Sequence, residues 1–312
     1  MKALVTGGAG FIGSHLIDAL LERGYEVKCI DNFSSGRREF IEKNIDKIEL
    51  IEGDLLNPED IKKAIKGCDI VFHLAANPDV RLGAVDTKIH FDNNILATYN
   101  LMEEMRKEGV KKIAFTSSST VYGEASIIPT PENYGPLIPI SLYGASKLSA
   151  EALISSYSHT FDIEAIIYRF ANVVGPRSTH GVIYDFIKKL RKNPEELEIL
   201  GDGKQKKSYL YIDDCIDAMF FGIEHAKEKT EIYNIGSEDW TEVTEIADIV
   251  SEEMNLHPEY RFTGGVGGRG WKGDVKIMRL DISKLKSLGW KPKYKSNEAI
   301  RMTARWLIKE IT

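Results

Sequence analysis

Thr6-Gly7-Gly8-Ala9-Gly10-Phe11-Ile12-Gly13 is the stretch on which the fold turns. A short apolar run, Ala3 to Thr6, precedes it, and Phe11 to Arg23 follows with apolar residues at helical spacing. Gly8, Gly10 and Gly13 satisfy the general dinucleotide spacing, and Gly7, Gly10 and Gly13 satisfy a tighter one. Glycine lets the backbone approach a pyrophosphate, and the helix N-terminus supplies N–H donors and a partial positive charge. A strand, a glycine turn and a helix in that order open a dinucleotide-binding fold.

The same alternation continues outward. Glu26 to Asp31, Ile48 to Glu52, Ile70 to Leu74, Ile113 to Ser117 and Ala165 to Arg169 read as strands. Between them Pro58 to Lys66 and Ile95 to Lys107 carry helical periodicity, with Pro58 in a first turn and Asn57 as its cap. Strands alternating with helices imply an α/β class: a doubly wound parallel sheet of the Rossmann type, covered on both faces. From about Val173 the segments shorten, and Gly264 to Gly270 forms a glycine-rich stretch. We therefore expect a cofactor domain of residues 1–172 plus about 208–236. About 173–207 and 237–312 should form a smaller mixed α/β domain for substrate.

The totals narrow the function. The chain has 312 residues, 43% hydrophobic and 28% charged, with a net charge of −6. Lysine and arginine are scattered among acidic residues, which argues against a nucleic-acid partner. No run approaches the length of a membrane span, and no secretory signal opens the chain. Cys29, Cys68 and Cys215 are odd in number, far apart and without metal-ligand spacing. Cys29 and Cys68, within or beside strands, read as buried inert thiols; the protein is expected to be cytoplasmic, and no metal is expected.

Asp31 lies 18 residues beyond Gly13 at the end of the second strand. A carboxylate there accepts hydrogen bonds from an adenosine ribose and repels a 2′-phosphate, which selects NAD over NADP. Arg37 and Arg38 stand nearby as the residues that could grip such a phosphate instead.

Chemistry enters at Tyr143-Gly-Ala-Ser-Lys147, in a run that reads as helix. Four residues apart, the two side chains project about 40° apart around the axis. An ammonium beside a phenol and a nicotinamide cation both favour the phenolate, and the drop of about three pKa units they must supply needs roughly 4 kcal/mol. Tyr184 and Lys188 repeat the spacing, but no strand-end serine precedes them at a suitable distance, and they read as an ordinary helix face. The helix of Tyr143 follows a strand ending in Ser117-Ser118-Ser119-Thr120, and strand ends border the ligand crevice of a doubly wound sheet.

With these residues the chain resembles the extended short-chain dehydrogenase/reductase family, most closely its nucleotide-sugar epimerase branch. The likeness spans nearly the full length. It takes in Gly7 to Gly13, Asp31 to Gly36, Asp54-Leu55, His73 to Ala76, Asn93-Asn94, Ser117 to Gly123, Tyr143 to Lys147, Asn172 and Gly270 to Asp274. The resemblance implies NAD as cofactor, with Ser118, Tyr143 and Lys147 as the catalytic set. It implies cofactor contacts at Gly7, Gly10, Phe11, Ile12, Gly13, Asp31, Asn32, Ser34, Ser35 and Gly36. Asp54 and Leu55 would flank the adenine, Leu74, Ala75 and Ala76 would line the groove, Asn93 would contact it, and Lys147 would bind the nicotinamide ribose. A nucleotide diphosphate would lie near Asn172, Val182, Ile183, Glu198, Ile199, Lys207, Arg269 and Asp274, with Ser118 and Tyr143 at the sugar.

The implied reaction is 4-epimerisation of a UDP-hexose, UDP-glucose or UDP-galactose, through a 4-keto intermediate that takes hydride back on its other face. Related 4,6-dehydratases add an Asp-Glu pair where this chain has Ser119 and Thr120, and decarboxylating relatives add a glutamate that is also missing. Pro78, Lys207 and Trp271 depart from the residues usual in the branch. Met278 matches the position that gates sugar size and leaves N-acetylhexosamines and uronates open. Pairing through the helices Ile89 to Lys107 and Tyr143 to Phe161 would make a homodimer.

Overall fold

Consecutive rather than alternate residues are buried along the first strands: Ala3, Leu4 and Val5, then Ile70, Val71 and Phe72. That pattern belongs to a parallel sheet covered on both faces. The computed structural model describes residues 1–311. The chain runs β1 (Lys2–Thr6), α1 (Phe11–Glu22), β2 (Glu26–Asp31), β3 (Ile48–Glu52), α2 (Pro58–Ile65) and β4 (Ile70–His73). Next come α3 (Lys88–His90), a π-helical turn at Phe91–Leu96, α4 (Ala97–Glu108), β5 (Lys112–Ser118), α5 (Leu142–Phe161) and β6 (Glu164–Phe170). The later part holds β7 (Asn172–Val174), α6 (Val182–Lys192), β8 (Glu196–Ile199), β9 (Lys206–Lys207), β10 (Tyr209–Tyr211), α7 (Ile212–His225) and β11 (Thr230–Ile235). It ends with β12 (Thr241–Glu242), α8 (Val243–Glu253), β13 (Glu259–Phe262), β14 (Ile277–Met278), α9 (Ser283–Leu288) and α10 (Ser296–Glu310).

Seven strands form the main sheet in the order β11-β6-β5-β4-β1-β2-β3. β1 pairs in parallel with both β2 and β4, so the winding reverses between β1 and β4. Ligands bind outside the carboxyl ends of strands at such a reversal. The turn after β1, the residues after β4 and the end of β5 therefore share one edge. On one face Ile61 and Ile65 of α2, Leu101, Met102 and Met105 of α4 and Ile154 of α5 pack onto Leu4, Val71, Ile113 and Phe115. On the other, Leu16, Ile17 and Leu20 of α1 are fully buried, and Phe72 meets the Phe220 ring at 6.3 Å.

Two units emerge. Unit 1 comprises residues 1–121, 141–169 and 219–233; unit 2 comprises 122–140, 170–218 and 234–312. Unit 2 contains the parallel pairs β10 with β7 and β13 with β8, and the three-stranded β12-β9-β14. Its core joins Ile187 and Leu190 of α6, Ile246 and Val250 of α8, and Ile300 and Leu307 of α10.

The helix expected at Ile95 begins instead at Lys88 and passes through the π turn. An extra residue per turn breaks the 3.6-residue pattern across Phe91–Leu96, which is why periodicity reads only its second half. Among the described residues no helix is long and apolar enough to cross a membrane. All three cysteines are buried and free, and burial pushes the Cys29 thiol up to about 12.

Candidate active site

The turn after β1 is tight because three of its glycines face protein. A Cβ on Gly13 would stand 2.2 Å from Gly7 O, one on Gly7 2.8 Å from the Ala75 backbone, and one on Gly8 2.5 Å from Cys29 Sγ. Gly7 also sits at φ +68°, in the left-handed region that favours glycine. Gly10 differs: its added Cβ would meet only Gly7 O, at 3.2 Å. It caps α1 without a side-chain hydrogen bond, and no acidic residue lies in the first turn. The N–H groups of Phe11, Ile12 and Gly13 thus head an uncapped helix with its positive dipole end outward, a cradle that fits a pyrophosphate.

Asp31 closes this cradle. Its two oxygens accept from Ala9 N and Phe33 N, each at 2.9 Å, and burial raises its carboxyl above the usual range. Each carboxylate oxygen keeps a second lone pair, so acceptor capacity for a ribose remains. A Cβ on Gly36 would stand 2.8 Å from Asp31 Oδ1, which excludes larger residues there. Asn32, Ser34 and Ser35 are exposed around it, and Asn32 Nδ2 donates to Asp54 Oδ2 at 3.0 Å. Leu55 is buried beneath. Arg37 and Arg38, the candidates for a 2′-phosphate, pair with Glu39 and Glu52. Leu74 and Ala75 donate their N–H groups to Thr6 Oγ1, each at 3.2 Å, and Ala76 follows half-buried. Asn93, on the π turn, spends its amide N–H on Ile89 O at 2.9 Å.

Ser141 starts α5 by accepting from Gly144 N at 3.0 Å, which places Tyr143 in the first turn. Tyr143 interacts with Ser118 through a side-chain hydrogen bond. Ser118 Oγ also accepts from Thr120 N at 3.2 Å and Thr120 Oγ1 at 3.0 Å. Lys147 is buried, its Nζ donating to Thr116 O at 2.8 Å and lying 5.9 Å from the Tyr143 ring centroid. The protein groups by themselves do not lower the phenol. Burial pushes Tyr143 up to about 12 against the pull of Ser118, and burial brings Lys147 down to about 8. Desolvation of the charged form outweighs the four-residue proximity that the sequence shows.

Several polar residues at this end were given no role in the sequence reading. Glu151, one turn beyond Lys147, accepts from Ser117 Oγ at 2.5 Å and from Arg169 Nη2 at 2.7 Å. His73 sits between Thr6 Oγ1 at 2.8 Å and Thr98 Oγ1 at 2.9 Å, its pKa lowered by burial to about 3. Buried Asn94 joins Asn77 N at 2.8 Å to Ser146 Oγ at 2.9 Å. The signal for Glu151 was its four-residue step from Lys147; the others lie far apart in the chain and leave no local signal. Tyr184 and Lys188 lie on α6 of unit 2, with Lys188 Nζ 5.4 Å from the Tyr184 ring.

In unit 2, Lys207, Arg269 and Asp274 come together. Lys207 Nζ donates to Asp274 Oδ1 at 2.6 Å, Gly270 N to Asp274 Oδ2 at 3.2 Å, and Arg269 Nε to Asp274 O at 3.1 Å. Arg269 also pairs with Glu124. Trp271 stacks under Lys207, its ring 5.4 Å from Nζ, and its indole Nε1 is buried without a hydrogen-bond partner. Asn172 is half-buried on β7, and Val182 opens α6. Ile183 and Ile199 instead turn their side chains into the core of unit 2, at 3% and 0% exposure, because α6 and β8 need those positions for packing. Glu198 is held by Lys189 at 3.1 Å and Arg261 at 2.9 Å. The side chains of Ile183 and Ile199 are thus taken up by packing and that of Glu198 by ion pairs. Among the described residues no cluster of metal-ligating side chains exists.

Comparison with known proteins gives the family and fold relatives of the chain. The family model described as NAD dependent epimerase/dehydratase family matches residues 3–236. The chain is similar to a UDP-galactose 4-epimerase of known crystal structure at 46% identity, with a TM-score of 0.91 and 100% of both chains covered. It is similar at 32% identity, with a TM-score of 0.90 and 100% of both chains covered, to the UDP-glucuronic acid 4-epimerase of Bacillus cereus in complex with UDP-glucuronic acid and NAD. The UDP-glucose 4-epimerase of Thermotoga maritima with UDP-glucose matches at 34% identity, with a TM-score of 0.89 and 100% of both chains covered.

Proposed function

This chain belongs to the NAD dependent epimerase/dehydratase family, and from that premise we propose that it interconverts UDP-glucose and UDP-galactose by 4-epimerisation. The observation that carries the reading is the grouping of Tyr143, Ser118 and Lys147 at the end of β5, on the same sheet edge as the uncapped start of α1. Unit 1 holds the cofactor: the α1 N-terminus takes the pyrophosphate, Asp31 the adenosine ribose, and Asp54 with Leu55 the adenine. NAD, when bound, supplies a hydride acceptor and donor together with a positive charge.

Tyr143 Oη takes the proton of the sugar 4-hydroxyl and later returns it. Ser118 hydrogen-bonds the same oxygen and holds it in line. Lys147, anchored on Thr116 O, contributes a buried positive charge that favours the phenolate. Starting near 12, the phenol must fall by about five units to work at neutral pH, roughly 7 kcal/mol of differential stabilisation. Two cations in a dry site are of that order. In unit 2 Lys207, Arg269, Asn172 and Asp274 hold the nucleotide diphosphate. Burial of Phe91, Leu96, Tyr99 and Leu142, exposed at 53%, 37%, 44% and 43% as large apolar residues of the α3–α5 region, favours a homodimer. Three free buried thiols suit a reducing cytoplasm.

The test is product identification after incubation with UDP-glucose, UDP-N-acetylglucosamine and UDP-glucuronate, each with NAD. Formation of UDP-galactose from UDP-glucose is the expected result. A 4-keto-6-deoxy sugar, or conversion of only the other two, overturns the assignment.

A further inference from the structure

Tyr143, Lys147 and Glu151 follow one another at four-residue steps along one face of α5. They grip three consecutive residues of β5. Tyr143 bonds with Ser118, Lys147 Nζ donates to Thr116 O at 2.8 Å, and Ser117 Oγ donates to Glu151 Oε1 at 2.5 Å. The Glu151 rung has an anchor of its own. Arg169 on β6 donates Nε to Oε1 at 3.0 Å and Nη2 to Oε2 at 2.7 Å, a two-pronged bond to the carboxylate. Glu151 is 4% and Arg169 3% exposed. An ion pair this dry gains little net stability, because desolvation offsets most of its Coulomb attraction. Its position beside a third buried charge points to a different task.

The groups facing Lys147 come from four elements. Tyr143 and Glu151 share its helix, Arg169 reaches in from β6, and His73 and His90 face it from β4 and α3. Burial keeps His73 neutral and lowers His90, so neither adds a stabilising charge. Burial disfavours the ammonium form of Lys147, while the Glu151 carboxylate favours it.

We propose that Glu151, clamped by Arg169 and Ser117, is a positioning residue that fixes the register of α5 on β5 and keeps the buried Lys147 ammonium charged. Arg169 limits how far Glu151 neutralises that ammonium. The inference rests on the functional reading of Tyr143 and Lys147 given above, yet its main test needs no substrate.

That test is an NMR titration of the NAD-bound protein labelled at lysine Cε, with the Lys147 signal identified by its loss in Lys147→Arg. Glu151→Gln should lower the Lys147 midpoint by about one pH unit, Arg169→Met should raise it, and Glu151→Asp should leave it near the wild type. In parallel, Glu151→Gln should cut kcat for UDP-sugar conversion about tenfold with little change in KM, and its alkaline limb should move to lower pH. Aspartate should restore the limb. Coincident midpoints in all variants, or aspartate behaving like glutamine, overturn the proposal. Should Glu151→Gln fail to fold, Arg169→Met still decides: a raised Lys147 midpoint supports the proposal and an unchanged one overturns it. Shifted midpoints in a protein that converts no UDP-sugar would leave this inference standing and remove the functional one.

Discussion

Lys147 Nζ donates to the carbonyl of Thr116 and sits 5.9 Å from the centre of the Tyr143 ring, and in the proposed reaction its part is to bring a positive charge to the phenol. The charge has a ceiling, because burial brings the Lys147 pKa down to about 8. Below that pH the ammonium form prevails; above it the positive charge is lost. Epimerase turnover should therefore fall as pH rises through about 8, measured as kcat against pH in NAD-saturated protein. Turnover that holds level to pH 10 would mean the ammonium is not needed.

Tyr143→Phe removes the proton-carrying oxygen and little else, since the ring stays packed edge-on against His90 at 5.6 Å between centroids. Turnover should drop by about 10²–10⁴-fold with an unchanged far-UV circular dichroism spectrum. Near-normal turnover assigns the proton transfer elsewhere.

The glycine turn separates fold from binding. Gly13→Ala puts a methyl 2.2 Å from Gly7 O, a clash only backbone movement relieves, and should cost about 2–3 kcal/mol in urea unfolding. Gly10→Ala meets only a 3.2 Å contact at an ordinary φ of −77°. It should keep its stability and lose NAD affinity at least about tenfold, because the methyl stands where the pyrophosphate meets the helix start. Calorimetric NAD titration of both variants checks the contrast.

How far the sequence carried the argument depends on the range of each interaction. The sheet of unit 1 was legible because burial on both faces writes itself into consecutive residues such as Ile70, Val71 and Phe72. Asn57, read as a helix cap, does accept from Glu59 N. The Tyr143–Lys147 step was legible because helical geometry is local. What local patterns hide is where the burial term falls: nothing in the spacing says that Tyr143 is desolvated enough to rise. Ile183 and Ile199 show the same limit, since a resemblance places residues near a ligand without saying which way side chains point. The chain of Thr6, His73 and Thr98 was invisible for a related reason, being assembled by two strands and a helix far apart in sequence.

That chain fixes the state of His73. Thr98 donates its hydroxyl proton to Asn94 O at 2.6 Å, so it can only accept from His73 Nε2. Thr6 Oγ1 already accepts from Leu74 N and Ala75 N, so it donates to Nδ1. The ring is neutral, with its proton on Nε2, and a second proton would meet a donor. Its folded pKa of about 3 lies below the unfolded value near 6.5, so the unfolded chain binds the extra proton first. Stability from this group is complete above pH 6.5 and is lost as pH falls towards 3, on the order of 5 kcal/mol in all. His73→Gln should be less stable at pH 7 and show a flatter loss between pH 6.5 and 4, read by urea unfolding at each pH.

Trp271 offers the last test, in which stability and affinity should part company. Its indole N–H is a donor, buried and without a partner, so it costs the free protein the desolvation of that group. Lys207 beside it is neutralised by Asp274, and Arg269 is paired with Glu124. The indole is thus the uncommitted donor next to two committed cations, in the place proposed for the nucleotide diphosphate. Trp271→Phe keeps an aromatic face for Lys207 and removes only the N–H and part of the ring. The free variant should unfold at much the same urea concentration as the wild type, the relieved donor offsetting some lost packing. UDP should bind about ten- to a hundredfold more weakly by calorimetry, the worth of one hydrogen bond to a charged oxygen. Equal affinity for UDP in the two proteins would show that the indole proton faces no ligand oxygen, and the diphosphate would then have to be held by Lys207 and Arg269 after they release their carboxylates.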